Sequence, residues 1–267
     1  MQPIIKCFFG LLLAAATAGA QAAGSSADEL AKATANPISD LIALPLQSNW
    51  DKGVGPGDNT LYTLNVQPVI PFQLNDDWNL ITRTIIPVVS QPALTQGQGD
   101  IWGTGDVVAS QFFSPRNSGS LIWGVGSAFL LPTASDDRLG TEKWAAGPTG
   151  VVLVQSGPWT YGGLANHLRS FAGNDERTRV NATFINPFLT YGLGDGWSTT
   201  LSPEYTYNWE AEHGQRTTFP LVAILSKVTH LGQQPVSLSV GYKYYADAPN
   251  DQMDEGVRFV VSFLFPK

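Results

Sequence analysis

The sequence predicts an all-β protein: a transmembrane, antiparallel, up-and-down β-barrel of about twelve strands. Three observations predict this class. Apolar and polar residues alternate along most of the chain from residue 39, tight and long connections follow one another, and the first 22 residues resemble an export signal. A soluble half-buried strand has the same period, but its repetition along an exported chain is typical of an outer-membrane barrel. The alternation is clearest at the C-terminus, in Val257, Phe259, Val261, Phe263 and Phe265.

The N-terminal segment, residues 1–22, is expected to be a signal peptide that is removed. It carries an early positive charge, a stretch of apolar residues, and small residues that allow cleavage after Ala20 or Ala22. The only cysteine, Cys7, lies inside this segment. The mature chain is therefore expected to have no disulfide, no thiolate nucleophile and no cysteine metal site.

The next segment, residues 23–38, is expected to lie in the periplasm ahead of the barrel. Ser26 is a suitable helix N-cap, acids follow it, and Pro37 would end a short helix. Such a helix could plug the periplasmic mouth or simply lead into the first strand, and the sequence leaves both open. Residues 39–267 are then expected to form the barrel.

Composition excludes several other classes. The mean hydropathy is −0.03, and beyond the signal no apolar run approaches the roughly 18 to 20 residues that a membrane helix needs. Charged residues make up 14% of the chain, well below the roughly 25% of ordinary soluble domains, which suits a wall that faces lipid on one side. The net charge of −7 argues against a nucleic-acid partner, because such proteins carry a basic surface.

The connections between strands alternate in length, as in barrels with short periplasmic turns and longer outer loops. The short connections are rich in Gly, Asn, Asp and Pro, and the longer ones hold many of the acids. Prolines within several strands predict bulges or locally broken pairing. The predicted strands are 39–50, 59–73, 78–90, 102–113, 119–131, 144–156, 159–170, 178–191, 197–209, 216–229, 235–246 and 256–265.

All eight tryptophans lie near the ends of predicted strands. Tryptophan favours membrane interfaces because its ring is apolar and its N–H needs a partner. The sequence therefore predicts two aromatic girdles of four residues each. The periplasmic girdle is Trp78, Trp123, Trp159 and Trp197, and the outer girdle is Trp50, Trp102, Trp144 and Trp209.

Charged residues on the polar face of the strands are expected to point into the lumen. An Arg or Lys on the lipid face at mid-depth would cost roughly 2 to 4 kcal/mol. These residues could form a constriction that selects solutes by charge and size, or they could be ion pairs that fill a narrow barrel. They are Arg83, Asp106, Arg179, Glu204, Lys243 and Arg258.

The candidates for a catalytic or metal-binding site are three histidines, His167, His213 and His230. Outer-membrane hydrolases place a serine and a histidine on neighbouring positions of one face. Here Ser170 follows His167 by three residues, which puts the two side chains on opposite faces of a strand. The sequence therefore predicts no catalytic site, no metal site and no cofactor.

Five segments share a pattern with a known family. They are residues 36–42, 67–72, 77–81 and 103–106, and the ending Phe263-Leu264-Phe265-Pro266-Lys267. Together they resemble a family of bacterial outer-membrane proteins, the MetA-pathway of phenol degradation family. The resemblance covers nearly the whole mature chain, and it implies a barrel that passes small organic or aromatic molecules. It implies no particular binding residues.

We expect from these patterns a channel or facilitator in the bacterial outer membrane for small, aromatic or hydrophobic, organic solutes. Two alternatives stay open: an outer-membrane hydrolase acting on lipid, and a closed structural or adhesive barrel. The expected partners are outer-membrane lipid, lipopolysaccharide, the solute and the barrel-assembly machinery. The assembly signal would be the aromatic residues of the last strand, Phe259, Phe263 and Phe265, although Pro266 and Lys267 follow them.

Overall fold

A computed structural model describes residues 26–55, 57–95, 97–249 and 253–266. The predicted signal peptide, residues 23–25 of the predicted periplasmic segment, the loop acid Asp251 and the final residue Lys267 lie outside the described residues. Two helices are present in the described part, α1 (Ala27–Thr34) and a short 3-10 helix (Asp137–Leu139). Among the residues described, no helix is both long and apolar enough to cross a membrane.

Strands make up most of the described chain, and they form one antiparallel sheet of fifteen strands. They are β1 (Ile42–Val54), β2 (Asn59–Val66), β3 (Val69–Gln73), β4 (Trp78–Gln91), β5 (Ile101–Thr104), β6 (Val107–Pro115), β7 (Leu121–Leu131), β8 (Lys143–Ser156), β9 (Trp159–Gly173), β10 (Asn181–Gly194), β11 (Trp197–Pro203), β12 (Tyr205–Asn208), β13 (Thr217–Leu231), β14 (Gln234–Asp247) and β15 (Glu255–Phe265).

The sheet closes on itself, because β1 pairs with β15 from Ile42 opposite Phe265 to Asp51 opposite Gly256. β2 with β3, β5 with β6, and β11 with β12 each occupy one place in the wall, so the fifteen strands make a barrel of twelve. The predicted fold class is confirmed. Closure pairs the first strand of the wall with the last, so the two ends of the sheet do not leave unpaired backbone groups in the bilayer.

The wall is interrupted at three places, where one predicted strand is divided into two. Each interruption lies at or opposite a proline, as the sequence predicts. The first separates β2 from β3 at Pro68. The second, between β5 and β6, lies opposite Pro87 of β4, and the third, at Glu204, follows Pro203 and lies opposite Pro187 of β10. Proline has no N–H to donate, so the ladder bonds at these places are lost. At two of the breaks, Gln67 and Glu204 line the interior cavity.

The alternation of faces follows the sequence pattern. In β15, Val257 and Phe259 are 44% and 42% exposed on the outer surface, whereas Arg258 between them is 7% exposed. β11 and β14 behave in the same way, with serines turned inward and Leu201 and Val240 outward. The outer surface is therefore apolar over the strands, which is the surface that a bilayer covers.

One predicted loop is much shorter than expected. β1 extends to Val54 and β2 begins at Asn59, so the first outer connection is a tight turn rather than a long loop. Met253 and Asp254 donate backbone hydrogen bonds to the carbonyls of Gly53 and Lys52, which lengthens the ordered part of β1. The other outer connections are longer, as predicted.

Helix α1 begins at Ser26 through a capping box. The Ser26 hydroxyl accepts from the backbone N–H of Glu29 at 3.2 Å, and the Glu29 carboxylate accepts from the backbone N–H of Ser26 at 2.9 Å. These two bonds satisfy backbone donors that no helix can pair internally. A helix of only eight residues is marginal alone, so its contacts with the barrel decide where it lies.

Those contacts hold α1 across the short-turn mouth of the barrel. Asp28 accepts from the backbone N–H of Gly196 at 2.6 Å, and Gln155 donates to the carbonyl of Lys32 at 2.9 Å. The apolar face of the helix packs against the wall, and the buried cluster there is Leu30, Ala31, Leu41, Val228 and Leu264. Of the two arrangements that the sequence leaves open, the structure shows the one in which the helix occupies the mouth.

Candidate channel lumen

The barrel encloses a cavity of about 320 Å³. It extends from α1 at the short-turn mouth to a group of charged side chains deeper in the lumen, which we call the charged layer: Asp51, Arg83, Glu204, Lys243 and Arg258. The strands from β11 to β15 line the cavity with hydroxyl groups. These are Ser198, Thr200, Ser202, Ser226, Ser237, Ser239 and Ser262.

The opposite part of the interior is apolar and packed. A buried cluster fills the lumen beside β4, β6, β8 and β9, and its largest members, Phe112, Ile81 and Leu153, are at most 1% exposed. Leu164 of this cluster also lines the cavity, together with Val69 and Phe188, which pack against the cluster. The cavity therefore has one wall of hydroxyl groups and one apolar wall.

The charged layer contains a two-point ion pair between Arg258 and Glu204. Arg258 donates from both terminal guanidinium nitrogens to the two carboxylate oxygens, at 2.6 and 3.0 Å. Its third nitrogen donates to the side-chain oxygen of Asn49 at 2.8 Å. A planar guanidinium and a carboxylate match in this geometry, so the pair is oriented as well as attracted. It joins β15 to the interruption between β11 and β12.

A second ion pair and one more arginine complete the layer. Lys243 donates to Asp51 at 2.5 Å, and both side chains are nearly buried, at 6% and 7% exposed. Arg83 donates to the amide oxygen of Gln67 at 2.8 Å. The predicted lumen residues Arg83, Glu204, Lys243 and Arg258 thus meet in one region.

Two predicted lumen residues are not part of the charged layer. Arg179 is exposed in the outer loop before β10, because that strand begins at Asn181 rather than at the predicted 178. The prediction for Arg179 is wrong for this reason. Asp106 binds the outer loop between β7 and β8 instead. Its carboxylate accepts from the backbone N–H groups of Ala134 and Thr141 and from the Thr141 hydroxyl.

Asp106 therefore fastens the outer loop between β7 and β8 to the wall. We expect Asp106→Ala to release this loop, because three hydrogen bonds to one carboxylate are lost together and each contributes about 1 kcal/mol. Trypsin should then cleave after Arg138, which lies in that loop, about tenfold faster. Glu176→Gln, in a neighbouring loop, removes a carboxylate whose side chain makes no described bond and should leave the rate unchanged. Equal cleavage of both variants would contradict the anchoring role.

Three residues in or beside the charged layer escape the sequence prediction: Asn49, Asp51 and Gln67. The sequence does contain a signal for Asp51. This residue follows the outward-facing Trp50, so strand alternation directs its side chain inward. The irregular pattern of the first strand hides that parity. Gln67 lies at the first strand interruption, where parity alone does not determine the direction of a side chain.

A second cavity, of about 300 Å³, lies beside α1 at the short-turn mouth. It is bounded by α1, by the turn at Gly157 and Pro158, and by the ends of β10 and β11. The two cavities share lining residues, which are Ala31, Ala35, Thr190 and Ser198. The two cavities therefore adjoin beside α1, next to β10 and β11.

The aromatic residues lie at the strand ends. Seven of the eight tryptophans are at least 36% exposed, and Trp123 packs edge-on against Trp78 with ring centroids 6.0 Å apart. Phe259 is 42% exposed on the outer surface, and Phe265 is the last residue of β15. The roles of these residues in lipid contact and in assembly stay predictions.

The histidine and serine considered for catalysis have separate partners. His167 hydrogen-bonds through Nδ1 to the hydroxyl of Thr183 at 2.9 Å, whereas the Ser170 hydroxyl accepts from the backbone N–H of Val180 at 3.1 Å. This arrangement gives no support to a hydrolase. Within the described residues, no group of three or more His, Cys, Asp or Glu side chains is placed to hold a metal ion.

A closed barrel with an apolar outer surface and a polar lumen defines the class of bacterial outer-membrane β-barrels. An outer membrane channel from Pseudomonas putida F1 is similar in structure, with a TM-score of 0.64 and 14% identity over 85% of this chain and 96% of that chain. The NanC porin has a TM-score of 0.56 and 10% identity, over 82% of this chain and 98% of that chain. No family model and no curated protein matches the chain.

Outer membrane phospholipase A from Escherichia coli is a weaker likeness, with a TM-score of 0.46 and 12% identity over 90% of this chain and 98% of that chain. At this similarity only the general barrel architecture is shared. The comparison therefore says nothing about catalysis in this chain.

Proposed function

We propose that the protein is a channel or facilitator for passive passage of small organic solutes across the outer membrane. The observation that carries the proposal is the cavity of about 320 Å³ inside the closed barrel. Its walls are apolar on one side and hydroxyl-bearing on the other, and charged groups lie at its deep end. Pores select solutes through the size, polarity and charge of such linings.

The proposed solute class rests on the two cavity walls and on the resemblance of the sequence to a known family. An apolar wall next to hydroxyl donors suits a small molecule with an apolar body and a polar group. The resemblance to the MetA-pathway of phenol degradation family supports aromatic or hydrophobic solutes and membership in that family. The likeness to an outer membrane channel supports transport rather than catalysis.

The route on the periplasmic side passes beside α1. The cavity next to the helix shares four lining residues with the lumen cavity, and the proposed route joins the two along the ends of β10 and β11. The helix narrows this route without closing it. Passage is expected to be slow for large solutes, because α1 occupies the rest of the mouth.

The proposal includes the surroundings of the barrel. Lipid covers the apolar outer surface, and lipopolysaccharide meets the outer loops. The barrel-assembly machinery reads the last strand, where Phe259 is exposed and Phe265 is the final strand residue. The chain performs no catalysis in this proposal and uses no cofactor.

Planar-bilayer recordings and liposome swelling with the purified protein test the channel. Discrete current steps, and swelling with small solutes such as benzyl alcohol or glycerol, are expected. Empty liposomes and boiled protein are the controls. A folded protein that gives neither current nor swelling would refute the channel and favour the closed structural barrel. Lipid hydrolysis lost in His167→Ala would instead favour the hydrolase.

A bulky side chain on the shared wall should block the proposed route. Ala35 lies at the end of α1 and lines both cavities, so Ala35→Trp is expected to reduce single-channel conductance by about half or more. Ala172→Trp adds the same ring at an exposed site near the outer end of β9 and should leave conductance unchanged. Equal conductance in all three proteins would show that ions do not pass beside α1.

A further inference from the structure

We infer that the lumen selects organic anions, namely small carboxylates with an apolar body, and that Arg83 is the group that binds the carboxylate. This inference rests on the proposed channel function and names its solute class. It depends on which charges of the lumen are already paired and which are not.

Both acids of the charged layer are occupied. Glu204 is held by Arg258 in the two-point pair, and Asp51 is held by Lys243. Three cations of the layer face these two acids, which leaves one positive charge in excess. We assign the excess charge to Arg83, because its described hydrogen bond goes to the neutral amide oxygen of Gln67 and Glu204 attracts it without a direct ion pair.

Arg83 is placed to meet a solute. It lines the lumen cavity, and in the described part of the chain no acid lies within 4.0 Å of its guanidinium. One terminal nitrogen donates to Gln67, so donors remain for a second partner. Glu204 attracts Arg83 and Arg258 repels it, but neither has a described hydrogen bond to the Arg83 guanidinium. Its free donors can therefore meet a carboxylate, which is the acceptor that fits the planar fork.

A second unpaired cation lies closer to the outer side. Lys143 is the first residue of β8, shares the inward face with Val151 and Leu153, and is 6% exposed. Its ammonium has no ion-pair partner among the residues described. Lys143 therefore adds positive charge nearer the outer side, where Thr141 also contacts the Asp106 carboxylate. Arg83 is the cation that draws anions deeper into the lumen.

The apolar wall accounts for the rest of the solute. Val69, Leu164 and Phe188 line the same cavity as Arg83, on the side of the packed cluster. A carboxylate at Arg83 would leave its apolar body against these side chains, while the hydroxyl wall stays available to water. This combination favours an aromatic or short aliphatic acid over an inorganic anion of the same charge.

The acids of the outer loops work against this selectivity but are weaker. Asp136, Glu142 and Glu255 each lie in an ion pair with an arginine or lysine and are exposed to water. Salt and water screen exposed charges within about 8 to 10 Å, whereas charges inside a narrow lumen are screened much less. The lumen charges therefore decide the sign of the selectivity, despite the net charge of −7.

Reversal potentials in planar bilayers under a KCl gradient test the sign. The wild-type channel is expected to prefer chloride over potassium by about threefold. Arg83→Gln should bring this ratio close to one, and Arg83→Lys should keep it. Arg179→Gln removes the same charge from the outer loop and should keep the wild-type ratio.

Binding of benzoate to the detergent-solubilised protein, measured by isothermal titration, tests the site without any conductance. Benzamide has the same shape without the charge and is the matched probe. Wild type and Arg83→Lys should bind benzoate at least about tenfold more tightly than benzamide, because the ion pair adds to the shared apolar contacts. Arg83→Gln should bind the two equally.

The outcomes separate the two proposals. A conducting protein without chloride preference, or with benzoate and benzamide bound alike, would overturn the anion site and leave the channel standing. Benzoate binding that depends on Arg83 in a protein without conductance would overturn the channel and keep the site. If Arg83→Gln does not fold, the wild-type ion preference and the comparison of the two probes still decide the matter.

Discussion

Arg258→Met is expected to lower the free energy of unfolding by about 3 kcal/mol. The substitution leaves the Glu204 carboxylate inside the lumen without its partner, and it also removes the hydrogen bond to Asn49 that joins β15 to β1. Removing one member of a buried pair leaves an unpaired charge, which is more costly than the pair is stabilising. Urea titration in detergent micelles, followed by tryptophan fluorescence, measures the change.

The double variant Arg258→Met with Glu204→Met separates charge from packing. It removes both charges and should recover most of the stability, because apolar replacement of a whole buried pair is often neutral. Lys52→Met breaks the exposed pair with Glu255 and should change stability little. A double variant as unstable as Arg258→Met alone would show that the charge of Glu204 is not the cause.

Deletion of residues 26–36 is expected to raise single-channel conductance at least about threefold. The deletion removes α1 and therefore the contacts at Asp28 and Lys32 that hold it across the mouth. Ile38 and Leu41, which pack inside the barrel, are kept. Planar-bilayer recordings under symmetrical salt measure the effect.

Asp77→Asn is the control for the deletion. Asp77 is exposed in the short turn between β3 and β4, lines neither cavity and makes its described hydrogen bonds through its backbone, so the variant should conduct like wild type. Asp28→Asn weakens the bond to Gly196 and should give an intermediate conductance with more frequent opening. An unchanged conductance after the deletion would mean that α1 does not restrict the passage.

The fold could be predicted from the sequence because most strands are set by local features. The period of two fixes the faces, the Gly- and Asn-rich turns fix the ends, and prolines such as Pro68 and Pro203 fix two of the breaks. The error at Arg179 arises at a strand end, where such features are weakest. The faces, ends and breaks of the strands all depend on neighbours within a few residues in the sequence.

The charged site could be predicted only in part. The inward direction of Arg83, Lys243 and Arg258 follows from parity, but their partners do not. Lys243 and Asp51 are 192 residues apart in the chain, and they meet only because β1 closes the barrel next to β15. The helix face that meets the mouth and the loop that reaches Asp106 are likewise set by contacts between residues 28 or more positions apart in the chain. Such contacts depend on tertiary structure, which alternation does not encode.

The uneven filling of the barrel has a consequence for how this protein can evolve. The packed side, with Phe112 and Leu153, keeps the cylinder rigid, and changes there create voids that cost several kcal/mol. The serine side, such as Ser226 and Ser239, borders the cavity, and exchange there should cost little more than the hydrogen bond between the two hydroxyls. New solute preferences can therefore be acquired by mutations in the serine half alone, while the other half preserves the ability to fold.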